Sequence, residues 1–392
     1  MSEWIECKIS DLGTVVGGAT PSTKKAENYE GGNIAWITPK DLSTFSGRYI
    51  QRGERNITEI GLKSCSTQLL PENTVLFSSR APIGYVAIAA NEVCTNQGFK
   101  SIIPNEETDP LFLFYLLKHN KDKIEAMGSG TTFKEVSGNT MKNIIVRVPS
   151  DKEVQKNIAS ILGTLDDKIE ENERINNNLF EQMQALYKAW FVDFEPFGGV
   201  RPSSWNDTNI YAIANIIYGA PFASKLFNTD GLGKPIIRIR DLKEQAFVTF
   251  TTEEHPKGHL IQPGDIVVGM DGEFRPYIWG NEPAWLNQRV CIFESNRPQG
   301  KAFVLYTIKP LLNKIEQTQV ATTVIHIGKK DFDAFEIILP DEATLDSFDS
   351  ITAPMIEQIV NNRLQNKRLA VLRDTLLPKL MSGELDVSDI DL

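Results

Sequence analysis

The feature that most constrains this chain is an internal repeat with a period of about half its length. Asn96-Gln97 matches Asn287-Gln288 at an offset of 191 residues, and Lys123-Ile124-Glu125 matches Lys314-Ile315-Glu316 at the same offset. Upstream the offset drifts by a few residues, as loop insertions between shared strands would cause. Such a colinear series indicates two tandem copies of one globular domain, each followed by a long helix.

Each copy ends in a helix with one apolar stripe, because apolar residues recur three or four positions apart. The stripes are Ile169, Ile175, Leu179, Met183, Leu186 and Trp190, then Ile351, Met355, Ile359, Leu369, Leu372, Leu376 and Leu380. A helix of this kind needs a partner to bury its stripe. We therefore predict that residues near 153–190 and 345–381 pack antiparallel, with Asn172 and Asn362 forming a buried amide pair. The alternative is that each helix covers only its own domain.

Short apolar runs punctuated by Gly, Pro and Asn predict strands within each copy. The predicted strands are 34–37, 74–77, 85–89, 144–148, 236–239, 266–269 and 335–339, and the predicted helices are 109–125 and 303–316. The expected fold is α+β, with two tandem mixed α/β domains joined by two long helices that form an antiparallel intramolecular coiled coil. The expected boundaries are 1–150 for the first domain, 151–197 for the first long helix and linker, 198–341 for the second domain, and 342–392 for the second long helix and tail.

The charge distribution bears on whether such a chain can bind DNA. The net charge is −10 over 392 residues. This acidity comes from residues 151–200 and 341–392, while acids and bases balance in the two domains. Balanced domains can carry a basic face, so the composition permits DNA binding without arguing for it. Scattered cysteines, a start unlike a signal peptide and the lack of a long apolar run predict a soluble cytoplasmic protein with no membrane partner.

Several motifs resemble those of the specificity subunits of type I restriction-modification systems. The helical motifs are Ser160–Glu170 and Ala185–Phe191, which resemble the central conserved region, and Leu376–Leu385, which resembles the distal one. In the first domain, Gly17–Ser22, Ser78–Gly84 and Thr95–Phe99 resemble one class of target-recognition domain. In the second, Gly264–Gly272 and Leu286–Arg289 resemble another class. The resemblance covers nearly the whole chain, in the family's order.

The resemblance implies a DNA-binding subunit with no catalysis of its own. Each domain would read one half of a split target in double-stranded DNA. The paired helices would dock two methyltransferase subunits and the restriction endonuclease/translocase subunits. S-adenosylmethionine and ATP are then expected only in those partners, and no cofactor in this chain. Because the two copies carry unlike motifs, two different half-sites, and so an asymmetric target, are expected.

A search for chemistry in the sequence also favours a protein that is not an enzyme. We find neither a Pro-Pro-aromatic loop nor a glycine-rich turn for S-adenosylmethionine. Gly231–Pro235 fails as a phosphate loop because Lys234 precedes a proline. His255 and His259 have the spacing of metal ligands on a helix, but Pro256 and Gly258 between them predict a turn. One alternative is a DNA-modifying enzyme, which would transfer methyl groups unaided. The other is a scaffold that joins partners through its long helices, whose DNA binding would ignore sequence.

Candidate DNA-contacting residues share a basic or amide side chain, or a hydroxyl, in loop-like sequence. Arg and Gln can pair with base edges, whereas Lys, Ser and Thr mostly hold phosphates. In the first domain the candidates are Lys24, Lys25, Lys40, Arg48, Arg52, Arg55, Ser78, Ser79, Arg80, Thr131, Thr132 and Lys134. In the second domain they are Arg238, Arg240, Arg275, Gln288 and Arg289. No catalytic, cofactor or metal residues are expected.

Overall fold

The computed structural model describes residues 3–130, 134–318 and 326–387. The chain divides into two compact units, Met1–Glu170 with Leu369–Leu392, and Glu171–Arg368. Each unit therefore holds one globular repeat and a segment of each long helix.

The first repeat is a mixed α/β domain built around a five-stranded sheet. Its strands are β1 Trp4–Lys8, β2 Gly13–Gly17, β3 Ile34–Ile37, β4 Tyr49–Ile50, β5 Arg55–Ile57, β6 Val75–Ser79, β7 Ile83–Ala89, β8 Cys94–Thr95, β9 Lys100–Pro104 and β10 Ile145–Pro149. Its helices are α1 Ile9–Leu12, α2 Pro39–Ser43, α3 Glu59–Lys63, α4 Pro110–His119, α5 Lys121–Ala126 and α6 Gly138–Asn143, with a 3-10 turn at Ala26–Asn28. The sheets run β2-β9-β6-β7-β4, β5-β3-β8 and β1-β10. Strand β6 lies at the centre of the five-stranded sheet, and every one of its side chains is therefore buried.

The first long helix, α7 Lys152–Phe191, leads into the second repeat, and α10 Glu342–Ser382 follows it. The strands of the second repeat are β11 Asn206–Asn209, β12 Ala214–Tyr218, β13 Phe227–Asn228, β14 Lys234–Ile237, β15 Phe250–Thr251, β16 Leu260–Ile261, β17 Ile266–Gly269, β18 Pro276–Ile278, β19 Ala284–Leu286, β20 Val290–Ser295 and β21 Glu336–Leu339. The α-helices are α8 Lys301–Thr318 and α9 Lys329–Asp333, and 3-10 turns lie at Glu195–Phe197, Ile210–Ala212, Ser224–Leu226 and Ile239–Asp241. The sheets run β12-β20-β17-β18, β13-β15-β14-β19-β16 and β11-β21.

The two repeats share their hydrogen-bond pattern as well as their sequence. Ile37 pairs with Thr95 in a parallel ladder, and Ile237 pairs with Leu286 in the same way. The turn after each of these strands is capped by an aspartate that accepts the backbone N–H three residues earlier. Those bonds, at Asp41 and Asp241, measure 2.7 and 3.0 Å. The predicted tandem repeat and mixed α/β fold are confirmed.

In each unit the segments of α7 and α10 run antiparallel. In the first unit Asp166 meets Arg373, while Asn157, earlier in α7, donates to the carbonyl of Val387, which lies beyond the end of α10. In the second unit Asn176 meets Asn362 while Tyr187, further along α7, meets Phe348, earlier in α10. The helices also contribute to the cores of the globular repeats, since Leu162 and Leu380 belong to the same buried cluster as Phe112. Each helix thus packs against the other and also covers a domain.

The predicted pairing of Asn172 with Asn362 is wrong by one helical turn. Both amides are buried, at 1% and 4% exposure. However, Asn172 Nδ2 donates to Asn366 Oδ1 at 2.8 Å and to Gln365 Oε1 at 2.7 Å. Asn362 Nδ2 donates to Asn176 Oδ1 at 2.8 Å. The apolar stripe fixes which faces meet, while the amides that face each other fix the axial register.

Some element predictions also need correction. Ile351 and Leu372 are 42% and 46% exposed, so these two members of the predicted stripe lie outside it. The predicted helix 109–125 is divided between α4 and α5 at Asn120. The predicted strand 236–239 ends at Ile237 because the Asp241 cap starts a 3-10 turn.

Candidate nucleic-acid interface

One segment of the first repeat carries five exposed cations, namely Lys24, Lys25, Lys40, Arg52 and Arg55. Lys24 and Arg52 are exposed and have no acidic partner among the described residues. Lys25 and Lys40 face Glu27 and Glu54, at 3.6 and 2.7 Å. Such exposed pairs contribute little and are screened by salt, so their lysines can exchange partners readily.

Arg55 lies 5.2 Å from the Tyr29 ring centroid, which orients its exposed guanidinium. The hydrogen bond from Lys40 to Glu54 raises the pKa of Lys40 above its ordinary value. These exposed cationic side chains suit contacts with phosphate oxygens.

Arg48, in contrast, is a structural residue. Its side chain is 6% exposed, and its Nε donates to Glu170 Oε1 at 3.0 Å. Its Nη1 donates to the carbonyl oxygen of Gly163 at 3.3 Å, and its Nη2 also contacts Asp167. Burial alone would lower the pKa of Arg48, but the hydrogen bonds to Glu170 and Asp167 outweigh it and raise the pKa. Arg48 joins the first repeat to α7, and we leave it out of the proposed DNA-contacting set.

Ser78 and Ser79 are likewise buried and committed to the backbone. Ser78 Oγ donates to the carbonyl of Pro82 at 2.9 Å and accepts from the Tyr85 N–H at 2.8 Å. Ser79 Oγ donates to the carbonyl of Gly98 at 3.1 Å. These bonds shape the turn that presents Arg80, whose side chain is 35% exposed and lies 3.7 Å from Glu135.

Two other candidates of the first repeat, Thr131 and Thr132, lie outside the described residues. Lys134 is exposed.

The arginines of the second repeat differ in how firmly they are held. Arg238 contacts Thr249 Oγ1, lies 3.7 Å from Asp241 and is only 26% exposed. The side chain of Arg240 is 65% exposed and lies 3.7 Å from the same carboxylate. Arg275 donates to Asn313 at 3.0 Å and lies 3.3 Å from Glu316. Arg240 is the freest of these three.

Gln288 and Arg289 stand on a tight turn that begins at Asn287. The N–H of Val290 donates to the Asn287 carbonyl at 3.2 Å, and Asn287 Oδ1 accepts the N–H of Gln288 at 2.9 Å. Arg289 has a φ of 70°, a left-handed conformation that costs a non-glycine residue on the order of 1 kcal/mol. Asn287 is buried, while both following side chains are exposed. The turn thus holds outward two side chains whose donors and acceptors suit pairing with base edges.

The first repeat has a turn at the equivalent position, closed by the same backbone bond, and it reveals a residue that the candidate set missed. The N–H of Phe99 donates to the Asn96 carbonyl at 3.3 Å, as that of Val290 does to the Asn287 carbonyl. The side-chain bond differs, because Asn96 Oδ1 accepts the N–H of Gly98, two residues on, at 2.8 Å. Gln97 therefore occupies the place of Gln288, and it is exposed. The 191-residue offset could have identified it, since that offset relates Gln97 directly to Gln288.

Groups suited to covalent or metal chemistry are scarce in the described residues. Among residues 3–130, 134–318 and 326–387, no cluster of His, Cys, Asp and Glu could hold a metal ion. Burial raises the pKa of Cys94 to about 11 and also raises that of Cys291, so both thiols stay protonated at neutral pH. No helix in the described part of the chain is long and apolar enough to cross a membrane.

Comparison with known protein families identifies the family of this chain. Residues 1–181 and 202–373 match the model of the type I restriction modification DNA specificity domain. The chain belongs to this family. Two copies of the domain lie in one chain, as the repeat predicts, and DNA sequence recognition and assembly with other subunits are typical of its members.

Full-length relatives support the same assignment. The MjaIX specificity subunit of Methanocaldococcus jannaschii is 35% identical over an alignment of 411 residues, which covers 99% of this chain and 95% of that protein. The HindI specificity subunit of Haemophilus influenzae is 23% identical, with 98% and 100% coverage. The crystal structure of an S subunit from M. genitalium shares the fold, with a TM-score of 0.60, 18% identity, and 97% and 96% coverage.

Proposed function

We propose that this chain is the specificity subunit of a type I restriction-modification complex and that it reads a bipartite, asymmetric DNA target. The observation that carries the proposal is the Asn-anchored turn that recurs in both repeats. It presents Gln97 in the first repeat and Gln288 with Arg289 in the second. Equivalent scaffolds that carry different side chains favour two different half-sites over a palindrome.

The remaining chemistry is assigned to partners. The long helices dock two methyltransferase subunits and the restriction subunits, and those proteins bind S-adenosylmethionine and ATP. This chain is itself non-catalytic. Lys24, Lys25, Lys40, Arg52 and Arg55 suit phosphate contacts, because each is an exposed cation on one segment of the first repeat.

The test is methylation by the chain assembled with the methyltransferase subunits of its own system. Genomic DNA would be methylated with wild type, Gln97→Ala and Gln288→Ala, and the modified sites would then be sequenced. Each variant should relax one position in one half-site and leave the other half-site intact. Gln68→Ala and Gln262→Ala are matched controls, since both side chains are exposed in the same two repeats. Methylation by this chain alone would show an enzyme, and methylation at random sequences by the wild-type complex would show a scaffold.

A further inference from the structure

In each repeat three distant segments are joined by the same backbone hydrogen bonds. We call these the three-segment junctions. The first junction comprises residues 79–80, 98 and 135–136, and the second comprises residues 270–271, 289 and 326–327. In the first, the N–H of Ser79 donates to the Gly98 carbonyl at 2.7 Å, and the N–H of Val136 donates to the Ser79 carbonyl at 2.9 Å.

The second junction repeats both bonds at the 191-residue offset. The N–H of Met270 donates to the Arg289 carbonyl at 2.8 Å, and the N–H of Ile327 donates to the Met270 carbonyl at 2.9 Å. Because the bonds involve only the backbone, the geometry persists whatever side chains the junction carries.

The residue that follows the strand has opposite charge in the two junctions. In the first junction Arg80 follows the strand and lies 3.7 Å from Glu135, which is also 3.3 Å from Lys100. In the second junction the acid follows the strand. Asp271 Oδ1 lies 3.8 Å from Arg289 and 2.6 Å from His326 Nδ1. Each junction therefore brings one arginine beside one carboxylate, with the arginine supplied by a different segment.

We propose that each three-segment junction is a base-reading site in which the carboxylate orients the arginine toward a guanine. Arg80 reads the guanine of the first half-site, held by Glu135, and Arg289 reads that of the second, held by Asp271. This inference rests on the proposed function and deepens it by naming the base and the residues that read it.

One physical argument selects a base edge over a phosphate. The carboxylate limits the rotation of the guanidinium, and bidentate pairing with guanine O6 and N7 demands a fixed orientation. The exposed cations without acidic partners, such as Lys24 and Arg52, suit phosphates instead.

The orienting role of the carboxylate also explains the strained backbone at Arg289. Its left-handed φ aims a side chain from the turn toward the end of β17, where Asp271 lies. An ordinary surface arginine would gain nothing from that conformation. Strain of this kind is kept where the surrounding structure and the function require it.

The decisive experiment compares Arg289→Lys and Asp271→Asn in the complex with the methyltransferase subunits. Lysine keeps the positive charge but loses the fork, so discrimination at one guanine of the second half-site should fall by roughly 5- to 150-fold. Asp271→Asn should relax the same position, and the double variant should relax it no further than Arg289→Lys. Arg80→Lys and Glu135→Gln should relax one position in the first half-site only.

Matched controls are Arg201→Lys and Asp207→Asn, which alter an Arg–Asp pair, 2.9 Å apart and with side chains 30% and 77% exposed, in the second unit. A chemical probe avoids any effect of the substitutions on folding. Replacing the read guanine by 7-deazaguanine removes the N7 acceptor, so it should weaken binding by the wild-type complex and leave binding by Arg289→Ala unchanged.

The outcomes separate the two proposals. If Arg289→Lys weakens methylation evenly at every site with an unchanged target, Arg289 is a phosphate contact and this inference fails while the proposed function stands. If Asp271→Asn leaves the target unchanged, the orienting role is wrong. If the wild-type complex shows no sequence preference, the proposed function itself fails.

Discussion

The buried Asp166 carboxylate offers a quantitative test of how the first repeat is held to the long helices. The hydroxyl of Tyr115 donates to Asp166 Oδ2 at 2.6 Å, and Arg373 Nη1 donates to Oδ1 at 2.6 Å. The side chains of Asp166 and Arg373 are 7% and 20% exposed, and Tyr115 is fully buried. One carboxylate thus links α4, α7 and α10 within the first unit.

Asp166→Ala leaves the Tyr115 hydroxyl without its partner and leaves Arg373 with only the exposed Asp374, at 2.8 Å, in a region with little water. Breaking a buried ion pair on one side costs about 3–5 kcal/mol. The partial exposure of Arg373 lets water compensate in part, so we expect about 3 kcal/mol. The exposed pair of Arg174 and Glu171, at 2.8 Å with side chains 76% and 43% exposed, is the matched control. Glu171→Ala should cost at most about 0.5 kcal/mol.

Hydrogen exchange measured by mass spectrometry suits this test, because it reports local stability in a protein of two units. Peptides from α4 and from residues 152–170 should exchange roughly 150-fold faster in Asp166→Ala, the equivalent of about 3 kcal/mol. Replacing all three groups with apolar ones, as Tyr115→Phe, Asp166→Leu and Arg373→Met, should recover most of the protection, since no buried charge is then left unpaired. Exchange in Asp166→Ala within a factor of three of wild type would refute the reasoning.

Two further predictions concern charge. Arg52→Ala should weaken DNA binding by the assembled complex about equally for all sequences, and it should lower the slope of log binding constant against log salt concentration by about one. Arg48→Ala should instead destabilise the first unit without changing the target. Fluorescence titrations at several salt concentrations distinguish the two variants, and an unchanged slope for Arg52→Ala would contradict a phosphate contact. Asp341 Oδ1 accepts the N–H of Thr344 at 2.9 Å, and this bond lowers the pKa of Asp341 below 3.8. The folded carboxylate keeps its charge to lower pH than the unfolded one, so the stabilisation is present above pH 3.8 and is lost as the pH falls below it. Hydrogen exchange of residues 342–350 should show this loss in wild type and a flatter pH dependence in Asp341→Asn, and equal pH dependence in both would exclude Asp341 as its source.

The sequence predicted the tandem repeat, the long helices and seven of the strands because these depend on periodicity and on local capping. It could not predict axial register. Asn172 was assigned to Asn362, but the antiparallel helices meet one turn away, at Asn366. An apolar stripe repeats with each turn, so it leaves several registers that differ by whole turns.

The candidate site was harder to predict because burial depends on distant segments. Arg48 is covered by α7, more than a hundred residues later in the chain, so nothing in its local sequence distinguishes it from exposed Arg52. Ser78 and Ser79 lie in a strand that is buried throughout. Gln97, by contrast, was within reach of the sequence, because the repeat relates it to Gln288.

The first junction also explains why its arginine cannot come from the turn, as it does in the second. A Cβ at Gly98 would lie 2.7 Å from Pro39 Cγ and 2.9 Å from Asn96 Oδ1, so no side chain fits there without a shift. The equivalent turn in the second repeat adopts a positive φ at Arg289 and makes room for a long side chain. An arginine for the first junction must therefore come from the strand end, at Arg80, and the acid must come from the segment at Glu135. On this proposal, the arginine comes from the strand end in the first junction and from the turn in the second. Two copies of one fold can then read two different DNA half-sites.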